Sequence, residues 1–463
     1  MGERELVGLA GFGVLVLLIA LRLPVGVAMV LVGVGGSWTL SLVAPYLRFG
    51  PYLSQFKTLT WSVVSSYELS VVPLFILMGY LAAHAHLSRD LFQGVNALVG
   101  RLRGGVAMAA VIACAGFGAV CGSSLATAST MGRIALPELR RLGYADGLAT
   151  GALAAGGTLG ILIPPSVALV VYAIVVEASV VAMFQAAILP GMIAVAMFVG
   201  VIAARVVLRP SLAPPAPPLP AAERRAALRR LVPVVVLFGG IILGLGAGLF
   251  TPTPAAGLGV LGVLAYGLWS RWRHGPGEGL GRREVAAAAR ATAVTAGMLY
   301  LILVGAEVLK GFFARSGLPV ALAEWVGAVS LDPWLALGLV LVLLILLGCV
   351  MESLSMILVV VPFVFPVLVD LNGGELASAT SSAFGMGAEE LKIWFGVLAL
   401  IVVELGLITP PVGLNVFIIR AVCPGVSMGT IFRGVSPFFG IEVVRVLLIL
   451  AVPAVALLLP RLL

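Results

Sequence analysis

Apolar runs of membrane-spanning length fill this chain, and they leave its fold very little choice. Ten of them lie at about 5–21, 25–45, 71–87, 147–178, 181–208, 231–250, 254–272, 285–313, 391–421 and 437–459. A helix needs ~20 apolar residues to cross about 30 Å of hydrocarbon. Inside hydrocarbon every backbone N–H and C=O must find its partner within the protein, so runs of this kind fold as helices. Composition agrees. Hydrophobic residues make up 61% of the chain and charged residues 10%, where a soluble domain carries about 25% charged. The chain reads as an all-α polytopic membrane protein with no soluble domain. Its net charge of +8 comes from arginines placed between apolar runs, which act as topology signals rather than as a nucleic-acid face.

Two further segments are too long for one crossing and too short for two. Residues 105–141 and 334–370 carry small or polar residues in the middle, "CGSSLATAST" and "CVMESLSM". Each predicts a re-entrant helical hairpin, two half-length helices meeting at a tip. Each is followed by an apolar run interrupted by Leu-Gly, three residues and Pro-Pro: "LGILIPPSV" from Leu159 and "LGLITPPVG" from Leu405, 246 positions apart. A proline inside a helix removes a backbone donor and clashes with the preceding turn, at about 3 kcal/mol or more. The runs at 147–178 and 391–421 are therefore expected to be broken helices.

The arginines orient these pieces. Arg101, Arg103, Arg140 and Arg141 flank the first hairpin, and Arg205, Arg209, Arg224, Arg225, Arg229 and Arg230 flank a Pro-rich stretch. Arg271, Arg273, Arg282 and Arg283 fill the next loop on that side. Positively charged loops stay in the cytoplasm. Counting crossings from there puts the N-terminus outside, the first hairpin on the cytoplasmic side and the second on the outer side. The predicted organisation is an inverted repeat: 1–208, a cytoplasmic linker at 209–230 whose prolines favour extended geometry, and 231–463. The acidic residues ahead of the first apolar run, with no small-residue cleavage site, predict a retained first helix rather than a signal peptide.

Non-helical backbone survives at membrane depth only inside protein or beside a water-filled cavity. The two breaks free carbonyls there, and the hairpin tips add hydroxyls. Such hard oxygens suit Na⁺, while the N-terminal ends of half-helices suit a carboxylate. The candidate cation ligands are Ser123, Ser124, Thr127, Gly157, Thr158 and Pro164 in the first half. In the second they are Glu352, Ser353, Gly406, Thr409, Gly413 and Asn415. Ser124, Ser166, Ser353 and Asn415 are the candidates for substrate. The competing reading is close helix packing through small residues. Ionisable residues at membrane depth are costly and usually functional. Glu352 ranks first by this argument and Glu404 second, while Glu177, Glu307 and Arg445 lie nearer helix ends, where snorkelling competes with function. His84 and His86 fall on opposite sides of a helix and are expected to anchor at the interface. The four cysteines have no paired spacing and are expected to be packing residues. No phosphate-binding Gly-rich loop with Lys-Ser/Thr and no hydrolase or metalloprotease motif occurs, so neither an ATPase nor a catalytic residue is expected.

The stretches "GGVAMAAVIACAGFGAVCGSSLATASTMGRIALPELRRLGY", "AAGGTLGILIPPSVALVVYAIV" and "GLITPPVGLNVFIIRAV" resemble the DctM-like large membrane subunit of tripartite ATP-independent periplasmic (TRAP) transporters. The likeness covers nearly the whole chain. It implies an elevator-type secondary transporter of the bacterial inner membrane. Such a transporter is driven by Na⁺ without another cofactor, and works with a separate four-helix membrane subunit and a periplasmic binding protein that delivers an organic acid. Thr251-Pro252-Thr253-Pro254-Ala255 departs from the family's usual Thr-Pro-Thr-Glu-Ala, and Glu352 stands where aspartate is common. The outer segment from Asn372 to Lys392 is longer than usual and is expected to reach the binding protein. Two alternatives stay open: a stand-alone Na⁺/carboxylate symporter, and an intramembrane enzyme or channel.

Overall fold

The computed structural model describes residues 2–462 apart from 215, 216, 218, 276, 329 and 330, with the backbone alone at 323 and 325–328. The described residues form helices joined by turns and loops. Seven of these helices are long and apolar enough to cross a membrane, from Val25–Val43 to Met428–Ala451. The chain divides into two compact units, each assembled from separate stretches.

One unit comprises Met1–Ser70, Ala293–Val342 and Leu354–Lys392. Its helix Phe49–Ser65 was absent from the apolar runs because Gln55, Lys57 and several hydroxyls interrupt it. Tyr52 anchors this helix, its hydroxyl donating to the Val308 carbonyl at 2.9 Å. The Arg315 guanidinium lies 4.9 Å from the centre of the same ring and donates to the Arg48 carbonyl at 3.0 Å. In the loop after Ser353–Leu371, the buried Asn372 donates through Nδ2 to the Met386 carbonyl at 2.9 Å and accepts from the Phe384 amide at 3.1 Å. Leu376, 99% exposed, stands at the tip of the loop closed in this way.

The other unit comprises Val71–Thr292, Leu343–Ser353 and Ile393–Leu463. It holds both arms of the first hairpin, Gly105–Cys121 and Ser124–Arg141, and the tip of the second between Pro333–Gly348 and Ser353–Leu371. Both Pro-Pro runs are broken as expected. Asp146–Thr158 passes through a 3₁₀ turn at Leu159–Ile161 and resumes as Val167–Val175. Ala388–Gly406 stops and resumes as Leu414–Val422. Pro164–Pro165 and Pro410–Pro411 are both cis.

Three further elements differ from the sequence reading. The stretch 209–230 is not extended throughout: a helix begins at Ala221 and runs to Gly246. The reason is compositional, since "AAERRAALRR" lies beyond the proline cluster and is made of strong helix formers. The amphipathic helix Leu87–Val99 carries too many polar residues to register as an apolar run. Its Asp90, 6% exposed, accepts from the Tyr266 hydroxyl at 2.6 Å and sits 3.7 Å from Arg230, tying three helices together. The last run, 437–459, is two helices, Met428–Ala451 and Ala454–Leu462.

Candidate ion and substrate site

In each half, a hairpin tip is seated against its Pro-Pro break with no side chain between them. A Cβ on Gly118 would stand 2.2 Å from the Gly160 Cα, and one on Gly406 would stand 2.7 Å from the Gly348 Cα. Real Cβ atoms do not approach so closely, so only glycine fits and the backbones touch. The first tip turns at Gly122, whose φ of +61 is a left-handed conformation that glycine adopts without steric cost. In the second break, Gly413 plays the same part at φ +62. There the Asn415 amide donates to the Leu407 carbonyl at 3.1 Å, closing the loop around the prolines.

The candidate oxygens then fall into three groups. Some are used within their own helix. Ser123 and Ser166 cap Ser124–Arg141 and Val167–Val175, accepting from Ala126 N at 3.4 Å and Leu169 N at 3.5 Å. Capping satisfies amides that the first helical turn leaves unpaired. Thr158 and Thr409 donate back to the Ala155 and Leu405 carbonyls, each at 2.6 Å.

A second group meets one carboxylate. Ser124, from the first tip, donates to Glu404 Oε2 at 2.5 Å. Ser353, from the second tip, donates to Glu404 Oε1 at 2.6 Å. All three side chains are buried. The sequence reading put Glu352, an ionisable residue at the second tip beside Ser353, first among the carboxylates. In the structure Glu352 is half-buried and forms none of the tip hydrogen bonds. Glu404, placed second and left out of the cation-ligand set, is the carboxylate that gathers the tips. The residue contacting both tips lies 280 positions from one serine and 51 from the other, so adjacency in sequence could not find it. Its charge at membrane depth and its place just before Leu405-Gly406 were the signals the sequence held.

The third group has no partner. Thr127 Oγ1 and Asn415 Oδ1 are fully buried and meet no donor. Asn415 Nδ2 donates to the Ala154 carbonyl at 3.3 Å. A Cβ on Gly157 would lie 3.1 Å from both Asn415 Nδ2 and the Ser124 carbonyl oxygen, and one on Gly160 would lie 2.9 Å from Thr127 Oγ1. The break of the first half, the arm of its hairpin and the half-helix of the second half thus meet at glycines, packed so closely that a larger side chain at 157 or 160 would push its neighbours aside. An orphaned buried hydroxyl and an orphaned amide oxygen each cost about 1–3 kcal/mol. With the Ser124 carbonyl beside Gly157 and the Ser123 carbonyl beside Gly160, they are oxygens of the hard type that Na⁺ takes as ligands.

Arg445 is placed differently from the sequence reading. Arg445 is 1% exposed and does not snorkel. It pairs with Glu442 through Nε at 3.0 Å and donates to the Pro190 carbonyl at 3.2 Å. The His86 ring meets the Gly277 carbonyl at 3.2 Å.

Similarity to known proteins gives the family. A model of the family described as "Tripartite ATP-independent periplasmic transporter, DctM component" matches residues 12–455. The C4-dicarboxylate TRAP transporter large permease protein DctM of Pseudomonas aeruginosa is 32% identical, over 93% of this chain and 93% of its own length. The sialic acid TRAP transporter large permease protein SiaM of Vibrio cholerae is 30% identical, over 86% of this chain and 87% of its own. Among solved structures, the YdaH transporter of Alcanivorax borkumensis superposes with a TM-score of 0.60, covering 92% of this chain and 97% of that one. Its sequence identity is 16%, so the likeness is one of fold alone. On the family match and these relatives, the chain belongs to the DctM component family of tripartite ATP-independent periplasmic transporters.

Proposed function

We propose that this chain is the large membrane subunit of a three-part secondary transporter, importing an organic acid across the inner membrane on a Na⁺ gradient. The observation that carries the ionic part is the pair of buried, unpartnered oxygens, Thr127 Oγ1 and Asn415 Oδ1, beside Gly157 and Gly160. Na⁺ replaces its water shell with several hard oxygens at once, and orphaned buried oxygens in a polypeptide are rare enough to call for a reason. Thr127, the Ser123 and Ser124 carbonyls and Asn415 would hold the ion. Its charge would compensate groups that otherwise remain unsatisfied.

An inverted repeat with an elevator motion is the reading that best fits two tips seated on two breaks through bare glycine contacts. The arginine pattern supports an outer N-terminus and a cytoplasmic Pro-rich linker. Ser124 and Ser353 spend their hydroxyl hydrogens on Glu404, so a substrate carboxylate would meet Asn415 and the capped start of Val167–Val175 near Ser166 instead. The relatives' names, C4-dicarboxylate and sialic acid, support an organic acid as cargo. The partners are a small membrane subunit and a periplasmic binding protein that delivers the substrate.

Uptake into proteoliposomes tests this reading directly. Both membrane subunits, the binding protein and an outside-high Na⁺ gradient should together accumulate one acid from a panel, and leaving out the binding protein should abolish uptake. Robust uptake by this chain alone would favour a stand-alone symporter. Uptake driven by a proton gradient with Na⁺ absent would remove Na⁺ from the mechanism.

A further inference from the structure

Both hairpin tips end on the same carboxylate. Ser124 and Ser353 belong to different hairpins, and their hydroxyls donate to the two oxygens of Glu404 at 2.5 and 2.6 Å. A hydroxyl has one hydrogen and two lone pairs, and a carboxylate accepts only. Each serine hydrogen is therefore committed to Glu404, which turns the lone pairs of both hydroxyls away from it. An amide at this position would have one accepting end and one donating end. It would force one serine to reverse and spend a lone pair on the amide hydrogen. An aspartate, shorter by a methylene, would lose the reach that spans the two tips.

Ser124 also links this clamp to the orphaned oxygens. Its hydroxyl is on Glu404, while its carbonyl lies beside Gly157, 3.1 Å from where a Cβ would stand. We propose that Glu404 is a positioning residue that fixes both tip hydroxyls and joins the two tips mechanically, so that loosening one tip loosens the other and ion occupancy depends on both. The part concerning the ion rests on the Na⁺ reading above; the mechanical link does not.

The experiment uses the full chain with its small membrane subunit in lipid nanodiscs. Hydrogen exchange is followed at residues 121–127 and 349–355, and Na⁺ binding is read from the rise in melting temperature with Na⁺ against a K⁺ control. Ser124→Ala should speed exchange at the far tip, 349–355, as well as at its own. Ser353→Ala should do the converse. Glu404→Gln and Glu404→Asp should loosen both tips and weaken Na⁺ binding about tenfold or more. Adding Ser353→Ala to Glu404→Gln should change little further. Far-tip exchange unchanged in both serine variants would overturn the mechanical link, and these variants decide the matter even if substitutions at Glu404 fail to fold. Wild-type Na⁺ dependence in Glu404→Gln would overturn its part in ion binding. A wild-type protein with no Na⁺ response would count against the ion reading alone, with far-tip exchange still deciding the clamp.

Discussion

Asn415 donates to the carbonyl of Ala154 at 3.3 Å while its own Oδ1, buried, receives no hydrogen bond. One end of the amide is spent holding two halves of the chain together, and the other is left for something positive. Thr127 is in the same position with a single unused oxygen. That shared orphaning is what the Na⁺ reading rests on, and it can be tested at each residue.

Thr127→Val keeps the side chain's shape and removes an oxygen that no protein group uses. Without Na⁺ the variant should melt at or above the wild-type temperature, because a buried unsatisfied hydroxyl costs about 1–3 kcal/mol. With Na⁺, its apparent affinity should fall roughly 5- to 150-fold, the same free energy expressed in binding. A scan of melting temperature against Na⁺ concentration gives both numbers. A lower melting temperature without Na⁺ would mean that the hydroxyl holds the fold rather than an ion.

Gly118→Ala should fail to yield folded protein, since its methyl would need the space of the Gly160 backbone. Backbone cannot rotate aside as a side chain can, so the cost should exceed the usual 1–3 kcal/mol, approximately, of overpacking. Gly160→Ala should fold less stably and lose its Na⁺ response, because the methyl would sit 2.9 Å from Thr127 Oγ1. Gly200→Ala, with no atom within 4 Å of the new methyl, is the control and should behave as wild type. Fluorescence-detected size exclusion of the three variants ranks them.

The Glu442–Arg445 pair is almost fully buried. Arg445→Met leaves Glu442 unpaired and should destabilise by about 3–5 kcal/mol. Glu442→Gln with Arg445→Met removes both charges and should recover much of the loss. Thermal melts in detergent or nanodiscs check the order; a double variant no better than the single would contradict it.

Much of this architecture was legible in the sequence, and the limits have physical causes. Apolar runs and Pro-Pro breaks are local signals, so both broken helices and both hairpin tips could be placed in advance. Phe49–Ser65 and Leu87–Val99 escaped because an amphipathic helix has no continuous apolar run. Residue type was legible, in that hydroxyls at tips and carbonyls at breaks could be named. Which oxygen was free was not. Ser123, Ser166, Thr158 and Thr409 have local partners, whereas the orphaning of Thr127 and Asn415 exists only once the chain has folded. Glu352 and Glu404 show the same limit, since only the fold brings a carboxylate from one stretch of chain to serines in two others.

Arg225 and Leu376 offer a test of orientation, as both are exposed and lie in the linker helix and the long loop. Arg225→Cys and Leu376→Cys, each in a cysteine-free background in intact cells, should differ sharply toward an impermeant maleimide. Only the Leu376 position should react from outside. Equal labelling would rule out the arrangement read from the arginines.

The loop closed by Asn372 also makes a natural attachment point. Its base is fastened by bonds to Phe384 and Met386, so the residues between can be exchanged without asking the rest of the protein to adjust. Exposed loop tips accept inserted sequence best, and lengthening a loop whose ends are already held adds little to its entropic cost. A short epitope or a small fluorescent domain grafted at Leu376 should leave the membrane part assembled, giving a handle for purification or single-particle imaging on a protein that otherwise offers little outside the bilayer to grip.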